Sequence, residues 1–310
     1  MQLTNTVVSE LVHVPAGFSS EASADARFCP DASKPAPLLI ILHGFKAFAR
    51  WGFFPYFGEY FAKQGFLTLT VNFSLNGVPH RINPDVQECT EPERFAHNTI
   101  SQEFRDAEAM IEAALSRELG LGTRTPAKAA SASVWNKALC ELWNGEILVL
   151  AHSRGCASGY ALGERFEAVR KIAAIGSVAR LDRFTERAKT EWRNNGFFPV
   201  QNARTGQELR MNTTYLDDIT HHAEQFEPLK TVQRLKQPLL LVHGEQDMTI
   251  PLREGYELFQ TAEKAGCNVR WERIPNTAHT FGVTHPMTAE QASMLPFQQV
   301  CTCVENFFHA

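Results

Sequence analysis

Short apolar runs alternate along the chain with longer segments in which apolar residues recur at helical spacing. A continuous apolar run is typical of a strand buried on both faces of a parallel sheet, because neither face of such a strand meets water. The runs predict strands at residues 7–14, 37–42, 66–71, 146–150, 172–178, 239–242 and 269–274, the first of them at a sheet edge. The helical segments are residues 56–64, 100–119, 157–166, 252–264 and 289–308. This alternation predicts an α/β protein with a doubly wound, mainly parallel sheet and right-handed crossovers.

One connection is much longer than the others. Residues 179–237 separate the fifth predicted strand from the sixth, which is far more than a crossover needs. An insertion at this point lies over the carboxyl edge of the sheet, where open α/β folds bind ligands. We therefore expect a single domain over residues 1–310 with a small helical lid at 179–237, and the alternative is a decoration packed against the side of the domain. Predicted features outside the sheet are lid helices at 181–192 and 215–226, a loop or hairpin at 17–36 and a disordered loop at 122–132.

Composition and charge argue against several classes of protein. The 310 residues include 30 Lys and Arg against 34 Asp and Glu, a formal net charge of −4, with no basic block or RNA-binding aromatic motif. A nucleic-acid partner is therefore not expected. The first residues lack the basic and apolar regions of a signal peptide, and no apolar run approaches the length of a membrane span. Together with seven scattered cysteines, which are expected to be reduced thiols, these features predict a cytoplasmic protein without a membrane partner.

The segment Ala-His-Ser-Arg-Gly at residues 151–155 directly follows a predicted strand. A buried strand that leads into small-x-Ser-x-Gly is typical of a nucleophile elbow, a sharp strand-to-helix turn that exposes the serine hydroxyl above the sheet edge. The turn strains the serine backbone, and the residues two before and two after it must be small, as Ala151 and Gly155 are. An ordinary strand-ending loop is the alternative. The pattern indicates that Ser153 is a nucleophile.

A serine nucleophile needs a histidine base, and the histidine needs a carboxylate that holds its tautomer. Where the serine lies on such an elbow, the order along the chain is serine, acid, histidine. Asp247 follows the sixth predicted strand and precedes a helix, so it is the candidate acid. Asp182 is an alternative acid position, and Glu245 is interpreted as a turn residue. His279 follows the last predicted strand and is the candidate base.

The oxyanion of a tetrahedral intermediate needs two backbone amide donors. One is expected from Arg154, directly after the nucleophile. The other is expected from Phe45, in the loop that follows an early strand. The side chain of Arg154 either steers anionic substrates or forms a surface salt bridge.

His43 and His243 are interpreted as structural, and the pair His221-His222 as part of a solvated helix face. His43 and His243 end strands. His221 and His222 lie near acidic residues in a helical stretch, but neighbouring helix residues face different directions and do not converge on one ion. We expect no metal and no cofactor.

Assembled in this order, the motifs resemble the α/β-hydrolase superfamily, and within it the dienelactone-hydrolase and cinnamoyl-esterase-like branch of serine hydrolases. The residues that carry the resemblance are Leu42-His43-Gly44-Phe45, Val71-Asn72-Phe73-Ser74, the elbow around Ser153, His243-Gly244-Glu245-Gln246-Asp247 and Ala278-His279-Thr280-Phe281. Dienelactone hydrolases use a cysteine nucleophile, and this chain has Ser153 there, so the resemblance does not imply cleavage of that lactone. It implies the α/β-hydrolase fold.

The predicted function is hydrolysis of a carboxylic ester, with Ser153 as nucleophile, His279 as general base and then acid, and Asp247 as the residue that orients the histidine. A peptidase or amidase acting on short peptides is the alternative, for which the pair Asp217-Asp218 is a weak hint. A ligand-binding protein on the same fold is the rival from another class, and such proteins usually lose a triad member. The expected partner is a small-molecule ester, and a homodimer is left open. The substrate pocket is expected to be lined by aromatic residues, namely Trp51, Phe54, Trp192, Phe198 and Tyr215.

Overall fold

The computed structural model describes residues 6–15, 21–30, 35–79, 86, 88–117 and 134–310. Its strands are β1 (Val8–Pro15), β2 (Glu21–Phe28), β3 (Ala36–Leu42), β4 (Leu67–Asn72), β5 (Trp143–His152), β6 (Val169–Ile175), β7 (Phe197–Asn202), β8 (Gln207–Asn212), β9 (Leu239–Gly244) and β10 (Val269–Ile274). Within the described residues, eight of them form one sheet in the order β1-β2-β4-β3-β5-β6-β9-β10. The strands β7 and β8 form a separate antiparallel hairpin.

The helices pack on both faces of the sheet or belong to the long insertion. They are α1 (Phe54–Lys63), α2 (Pro92–Ala96), α3 (Ile100–Ser116), α4 (Val134–Leu142), α5 (Gly155–Arg165), α6 (Glu186–Asn195), α7 (Thr213–His221), α8 (Ala223–Phe226), α9 (Pro228–Thr231), α10 (Leu252–Lys264), α11 (Ala289–Ala292) and α12 (Leu295–His309). Among the described helices, none combines the length and apolar composition needed to cross a bilayer.

The sheet is mainly parallel, as the sequence predicts. From β4 through β3, β5, β6 and β9 to β10, every neighbouring pair is parallel. Only β2 runs the other way, and it pairs antiparallel with both β1 and β4. Because the parallel strands all end at the same edge, the loops that follow β3, β5, β9 and β10 meet there.

Alternate residues of each central strand pack into two different cores. In β3, Leu38, Ile40 and Leu42 face the core formed with α3, α4, α5 and α10. Leu39 and Ile41 face the core formed with α1 and α12. This burial on both faces explains the unbroken apolar runs, since side chains of a strand alternate between the two faces. The prediction of a doubly wound sheet is confirmed.

Three elements differ from their predicted form. The segment predicted as a loop or hairpin contributes a full sheet strand, β2, whose alanines are buried between β1 and β4. The C-terminal helix is divided into α11 and α12, because Pro296 lies in the first turn of α12 and cannot donate a hydrogen bond to an earlier carbonyl. The strand predicted at 172–178 lies earlier, at Val169–Ile175. The loop predicted at 122–132 lies outside the described residues.

The insertion at 179–237 is not purely helical. Its first helix, α6, begins only after Thr185, whose side chain accepts a hydrogen bond from the amide of Ala188. The hairpin of β7 and β8 follows, and then the three short helices α7, α8 and α9. The hairpin strands alternate buried and exposed residues, and Phe198 of β7 packs against Trp192 of α6.

Candidate active site

Ser153 lies on a strained turn between β5 and α5. Its φ angle is 56°, in the left-handed region that a residue with a side chain rarely adopts. The turn needs a glycine two residues later, because a Cβ built on Gly155 would lie 2.3 Å from the carbonyl oxygen of His43. A Cβ on Gly44 would likewise lie 2.8 Å from Cβ of Ser153. The loop after β3 therefore packs directly on the serine, and both glycines are sterically required.

Three predicted residues meet at the carboxyl edge of the sheet. The Nε2 atom of His279 lies 3.0 Å from Oγ of Ser153. The Nδ1 atom of His279 lies 2.7 Å from Oδ2 of Asp247. Since a carboxylate only accepts, Nδ1–H donates to Asp247, which leaves Nε2 to accept the serine proton. The arrangement can transfer a proton from the hydroxyl to the imidazole as the oxygen attacks a carbonyl carbon.

Asp247 is a buried and fully hydrogen-bonded carboxylate. Its Oδ1 atom accepts from the amides of Thr249 and Ile250, at 2.9 and 2.8 Å. Burial alone would raise the pKa of Asp247, but hydrogen bonds from His243 and His279 outweigh burial and hold the pKa well below its ordinary value. The carboxylate is therefore charged whenever the protein is near neutral pH, and it can stabilise an imidazolium.

The other two acids considered from the sequence lie away from the histidine. Asp182 is exposed and pairs with Lys189 in the insertion. Glu245 is an exposed residue of the turn after β9, 3.7 Å from Arg273. Neither contributes to the hydrogen bonds of His279, so Asp247 alone among the three occupies the position of the acid.

Three further histidines hold the loops around this site. His152, directly before the nucleophile, donates from Nε2 to the carbonyl oxygen of His279 at 3.1 Å, and their rings lie 4.6 Å apart. Burial, and then the proximity of His279, lowers the pKa of His152 well below its ordinary value, so this ring is neutral. His43 accepts from the amide of Phe73 at 3.3 Å, and His243 donates to the carbonyl of Ile250 at 2.8 Å. These contacts agree with the structural roles predicted for His43 and His243.

The amides predicted to bind an oxyanion flank the serine. Phe45 and Arg154 both line the cavity that contains Ser153 and His279. Among the described residues, no hydrogen bond engages the backbone amide of either one. Because buried amides are normally satisfied, two open donors beside a nucleophile suit a developing negative charge.

The side chain of Arg154 does not form the surface salt bridge considered from the sequence. It is buried and pairs with the buried carboxylate of Glu103 on α3, at 2.5 Å. Its guanidinium also lies over two rings, 4.2 Å from the centroid of Phe45 and 5.4 Å from that of Tyr215. The residue thus connects α3, the loop after β3 and the insertion. A surface salt bridge is excluded by this burial.

A cavity of about 770 Å³ opens above Ser153. Three of the predicted pocket residues line it: Trp51, Phe198 and Tyr215. Phe54 and Trp192 do not. Phe54 is buried in the core between Phe53, His43 and His152, and Trp192 is buried inside the insertion, where its Nε1 donates to the carbonyl of Met211. Both are large aromatic side chains that fill space in a core. The sequence alone did not distinguish a core position from a position in the pocket wall.

The insertion forms the outer wall of the same cavity. It contributes residues from the start of the segment, from the hairpin and from α7, among them Leu181, Phe184, Phe198 and Tyr215. The hairpin also contacts the opposite rim, where Nζ of Lys46 donates to the carbonyl of Gln201 at 3.1 Å. Part of the segment, up to Tyr215 of α7, therefore forms a wall of the cavity that contains Ser153.

The acidic and histidine pairs of the insertion lie elsewhere. Asp217 pairs with Arg193 at the surface, and Asp218 accepts hydrogen bonds from Ser101 on α3. Neither aspartate lines the cavity. His221 and His222 are exposed, and no group of three or more potential metal ligands occurs in the described part of the chain.

Several residues of the site were missed from the sequence. His152 and Lys46 had a local signal, since each is adjacent to a predicted functional residue. Glu103 and Arg204, which lines the outer wall of the cavity, had none. Both lie far along the chain from the motifs, and only the packing of α3 and the hairpin brings them to the site.

Comparison with known proteins gives a family match over part of the chain. Residues 155–303 match the model of the prolyl oligopeptidase family. The match begins two residues after Ser153 and includes Asp247 and His279. A stretch of 60 residues is 37% identical to an uncharacterized peptidase, YuxL, of Bacillus subtilis (strain 168). That stretch covers 19% of this chain and only 9% of the relative, so the chain matches a small part of that protein.

Solved structures match over almost the whole chain. Est1E from Butyrivibrio proteoclasticus, solved with ferulic acid bound, has a TM-score of 0.63 and 13% identity over 96% of this chain and 99% of its own. The acylaminoacyl peptidase of Pyrococcus horikoshii has a TM-score of 0.61 and 15% identity over 99% of this chain but only 42% of its own. At these identities the likeness concerns the fold.

The sheet order, the elbow, the family match and the likeness to solved structures together identify the fold of the chain. The chain has the α/β-hydrolase fold, as the resemblance of its motifs implied. The match of residues 155–303 to the prolyl oligopeptidase family agrees with this fold.

Proposed function

We propose that the protein hydrolyses a carboxylic ester through an acyl-enzyme intermediate on Ser153. The observation that carries the proposal is the continuous hydrogen-bonded path from Asp247 through His279 to the serine hydroxyl, with distances of 2.7 and 3.0 Å. A nucleophile within reach of an oriented base is the structural requirement for covalent catalysis of this kind.

In the acylation step, Oγ of Ser153 attacks the ester carbonyl carbon while its proton passes to Nε2 of His279. The carbonyl electrons move onto oxygen, and the amides of Phe45 and Arg154 stabilise that oxyanion. When the intermediate collapses, the bond to the alcohol oxygen breaks and the imidazolium returns the proton to the leaving alcohol. Asp247 remains charged throughout and stabilises the imidazolium.

In the deacylation step, a water molecule replaces the alcohol. His279 accepts one proton of the water as its oxygen attacks the acyl carbon. Collapse of the second oxyanion releases Ser153, which takes the proton back from His279, and the acid leaves. No metal or other cofactor enters either step of this proposal.

Cleavage of an amide by a peptidase is the second candidate. The match to the prolyl oligopeptidase family and the likeness to an acylaminoacyl peptidase favour it. Against it, the cavity wall contains no carboxylate among the described residues, and the pair Asp217-Asp218 lies outside the wall. Such a wall offers no partner for the ammonium group of a short peptide. We therefore prefer the ester.

The substrate we propose is a small molecule whose acyl group meets Trp51, Phe198 and Tyr215 in the cavity. Est1E, a protein of this fold, has been solved with ferulic acid, so hydroxycinnamoyl esters belong among the first substrates to try. The segment 179–237 is proposed to act as the lid that sets substrate choice. A cytoplasmic location and a homodimer stay predictions.

The proposal is tested by labelling with a fluorophosphonate, which reacts with activated serines. Intact mass should increase by one adduct, and Ser153→Ala should abolish the adduct. Ser293→Ala is the matched control, because Ser293 is exposed and its hydroxyl donates to the carbonyl of Glu290 rather than to a base. Equal labelling of Ser153→Ala and the native protein would show that the nucleophile is another residue.

Substrate class is then measured with 4-nitrophenyl and hydroxycinnamoyl esters and with an amide of the same acyl group. A higher kcat/KM for the ester, lost in Ser153→Ala, is the expected result. A labelled enzyme that cleaves the amide faster than the ester would replace the esterase proposal with the peptidase.

A further inference from the structure

The side chain of Arg154 connects the two residues whose amides are proposed to bind the oxyanion. One of these amides is that of Arg154 itself, directly after Ser153. The other is that of Phe45, and the guanidinium of Arg154 lies 4.2 Å from the centroid of the Phe45 ring. A guanidinium at this distance is attracted to the electron-rich face of a ring. One residue therefore supplies the first donor and contacts the side chain of the second.

A buried carboxylate on α3 fixes the guanidinium in place. Nη2 of Arg154 donates to Oε1 of Glu103 at 2.5 Å, and the two side chains are only 9% and 2% exposed. The same oxygen accepts a hydrogen bond from Nδ2 of Asn98 at 2.7 Å. Because α3 is buried along one face in the main core, the carboxylate cannot shift without the helix. The position of the guanidinium is thus set by the core of the protein.

The ring of Phe45 is held by a second contact, whereas its backbone is not held by a hydrogen bond of its amide. The ring stacks on Phe95 of α2, with centroids 5.5 Å apart and planes inclined by 29°. The neighbours of Phe45 in the chain are Gly44 and Lys46, whose φ angle is 58°. In the described part of the chain, no hydrogen bond engages the amide of Phe45. The direction of this amide therefore depends on how the ring is held.

Stability alone does not account for a buried ion pair at this position. The cost of removing two charges from water offsets much of their attraction, and an apolar pair of similar volume is often at least as stable. An ion pair supplies direction, because a charge-assisted hydrogen bond fixes the place and orientation of a guanidinium. An oxyanion hole needs fixed geometry, since its donors must already point to where negative charge develops in the transition state.

We propose that the side chain of Arg154, held by Glu103, is a positioning group that sets the direction of the Phe45 amide relative to the amide of Arg154. This inference rests on the proposed ester hydrolysis at Ser153 and adds the guanidinium and Glu103 to the groups on which its rate depends. The guanidinium takes no part in the bonds that form and break at the serine. It acts through the ring of Phe45.

The first test removes the ion pair without leaving an unpaired charge in the core. In Glu103→Gln/Arg154→Met, the glutamine oxygen can still accept from Asn98, and methionine fills the space of the arginine stem. The variant should be labelled at Ser153, but its kcat with 4-nitrophenyl acetate should fall about 10- to 100-fold, less than the loss of about 10²- to 10³-fold for a deleted donor. Both acylation and deacylation pass through an oxyanion, so both should slow and KM should stay close to its native value.

A second ion pair of the same two regions provides the matched control. Nε of Arg165, on α5, donates to Oε1 of Glu108, on α3, at 3.0 Å, and the guanidinium lies 5.3 Å from the Phe166 ring. Neither Arg165 nor Glu108 lines the cavity of Ser153. Glu108→Gln/Arg165→Met therefore removes the same groups and should keep the native kcat. An equal loss in both double variants would mean that the ion pairs merely join α3 to α5, and would overturn the positioning role.

A second test asks whether the guanidinium acts through the ring. Phe45→Leu keeps the backbone amide but removes the ring, and should lower kcat by a similar factor. Adding Phe45→Leu to Glu103→Gln/Arg154→Met should cause little further loss, because the contact is already broken. Arg154→Lys keeps a charge for Glu103 but lacks the planar guanidinium, so it should recover stability without recovering the native kcat. If the double variant fails to fold, Arg154→Lys takes its place in this comparison.

The outcomes separate this inference from the function on which it rests. A native kcat in Glu103→Gln/Arg154→Met overturns the positioning role and leaves ester hydrolysis intact. Independent losses, which multiply when Phe45→Leu is added, also overturn it. A loss confined to an anionic ester, mono(4-nitrophenyl) adipate, would make Arg154 a substrate-binding residue instead. If the native protein is not labelled at Ser153 and cleaves no ester, ester hydrolysis is rejected and the positioning role with it.

Discussion

The two walls of the cavity hold their side chains by different means. The inner wall is built from the loops that follow strands of the main sheet, and its polar groups are fixed by buried hydrogen bonds, such as those of Asp247 to Thr249 and Ile250. The outer wall is the insertion at 179–237, which has its own aromatic cluster around Trp192 and surface ion pairs, and which is joined to α3 by the hydrogen bonds from Ser101 to Asp218.

This difference predicts different functional roles for the inner and the outer wall. Groups on the inner wall cannot move without breaking the sheet or its hydrogen bonds, which suits chemistry that needs a constant geometry. The hairpin of the outer wall lies outside the main sheet, so its partly exposed side chains can change with little cost to that sheet. We expect inner-wall changes to affect every substrate alike, and outer-wall changes to affect substrates differently.

The largest effect is expected at the carboxylate of the inner wall. Asp247→Asn should lower kcat about 10⁴-fold, because an amide does not hold the Nδ1–H tautomer of His279. The measurement is kcat with 4-nitrophenyl acetate. Asp182→Asn is the control, since Asp182 is exposed and pairs with Lys189. A similar loss in both variants would contradict the assignment of the acid.

A smaller effect, on stability, compares an ion pair of each wall. Glu103→Gln leaves Arg154 charged and buried, and should lower the free energy of unfolding by about 3–5 kcal/mol. Glu257→Gln breaks the pair with Arg180, whose side chains are 48% and 40% exposed, and should cost about 0–1 kcal/mol. Urea denaturation measures both. Equal shifts would mean that the inner wall is no more rigidly held than the outer one.

The smallest effect is expected in the hairpin, where two neighbouring phenylalanines of β7 provide a matched pair. Phe198 lines the cavity, whereas Phe197 lies under the guanidinium of Arg210 on the other face. Phe198→Leu should change the ratio of kcat/KM between short and aromatic acyl esters by about 10- to 200-fold. Phe197→Leu should leave that ratio unchanged. A uniform loss over all esters in Phe198→Leu would argue against a selective outer wall.

The strands and helices of the inner part were largely readable from the sequence. The helix Leu252–Lys264 and the strand Val269–Ile274 have their predicted bounds. A buried parallel strand must be apolar on both faces, so its signal is strong and local. The hairpin of the insertion gave no comparable signal, because its strands are half exposed and are stabilised by contact with Trp192.

The residues of the candidate site also differ in how well the sequence predicted their positions. Ser153, Asp247 and His279 each follow a predicted strand, and parallel strands end at one edge, so their meeting follows from the topology. Their catalytic roles stay predictions. Phe54 was assigned to the pocket but packs in the core. The sequence around an aromatic residue that follows a strand does not show whether its side chain lines a pocket or fills the core.

By itself, the sequence determined the doubly wound sheet, seven of its eight strands and the strand ends that carry the serine, the acid and the histidine. These features depend on local apolar patterns and on small residues at one strained turn. Each of these patterns involves only residues that are close together in the sequence. Only the tertiary structure decided that Glu103 neutralises Arg154, and that Lys46 and Arg204 face one cavity from opposite walls. Such contacts join residues far apart in the chain, and their energy depends on distance and burial, which no local pattern encodes.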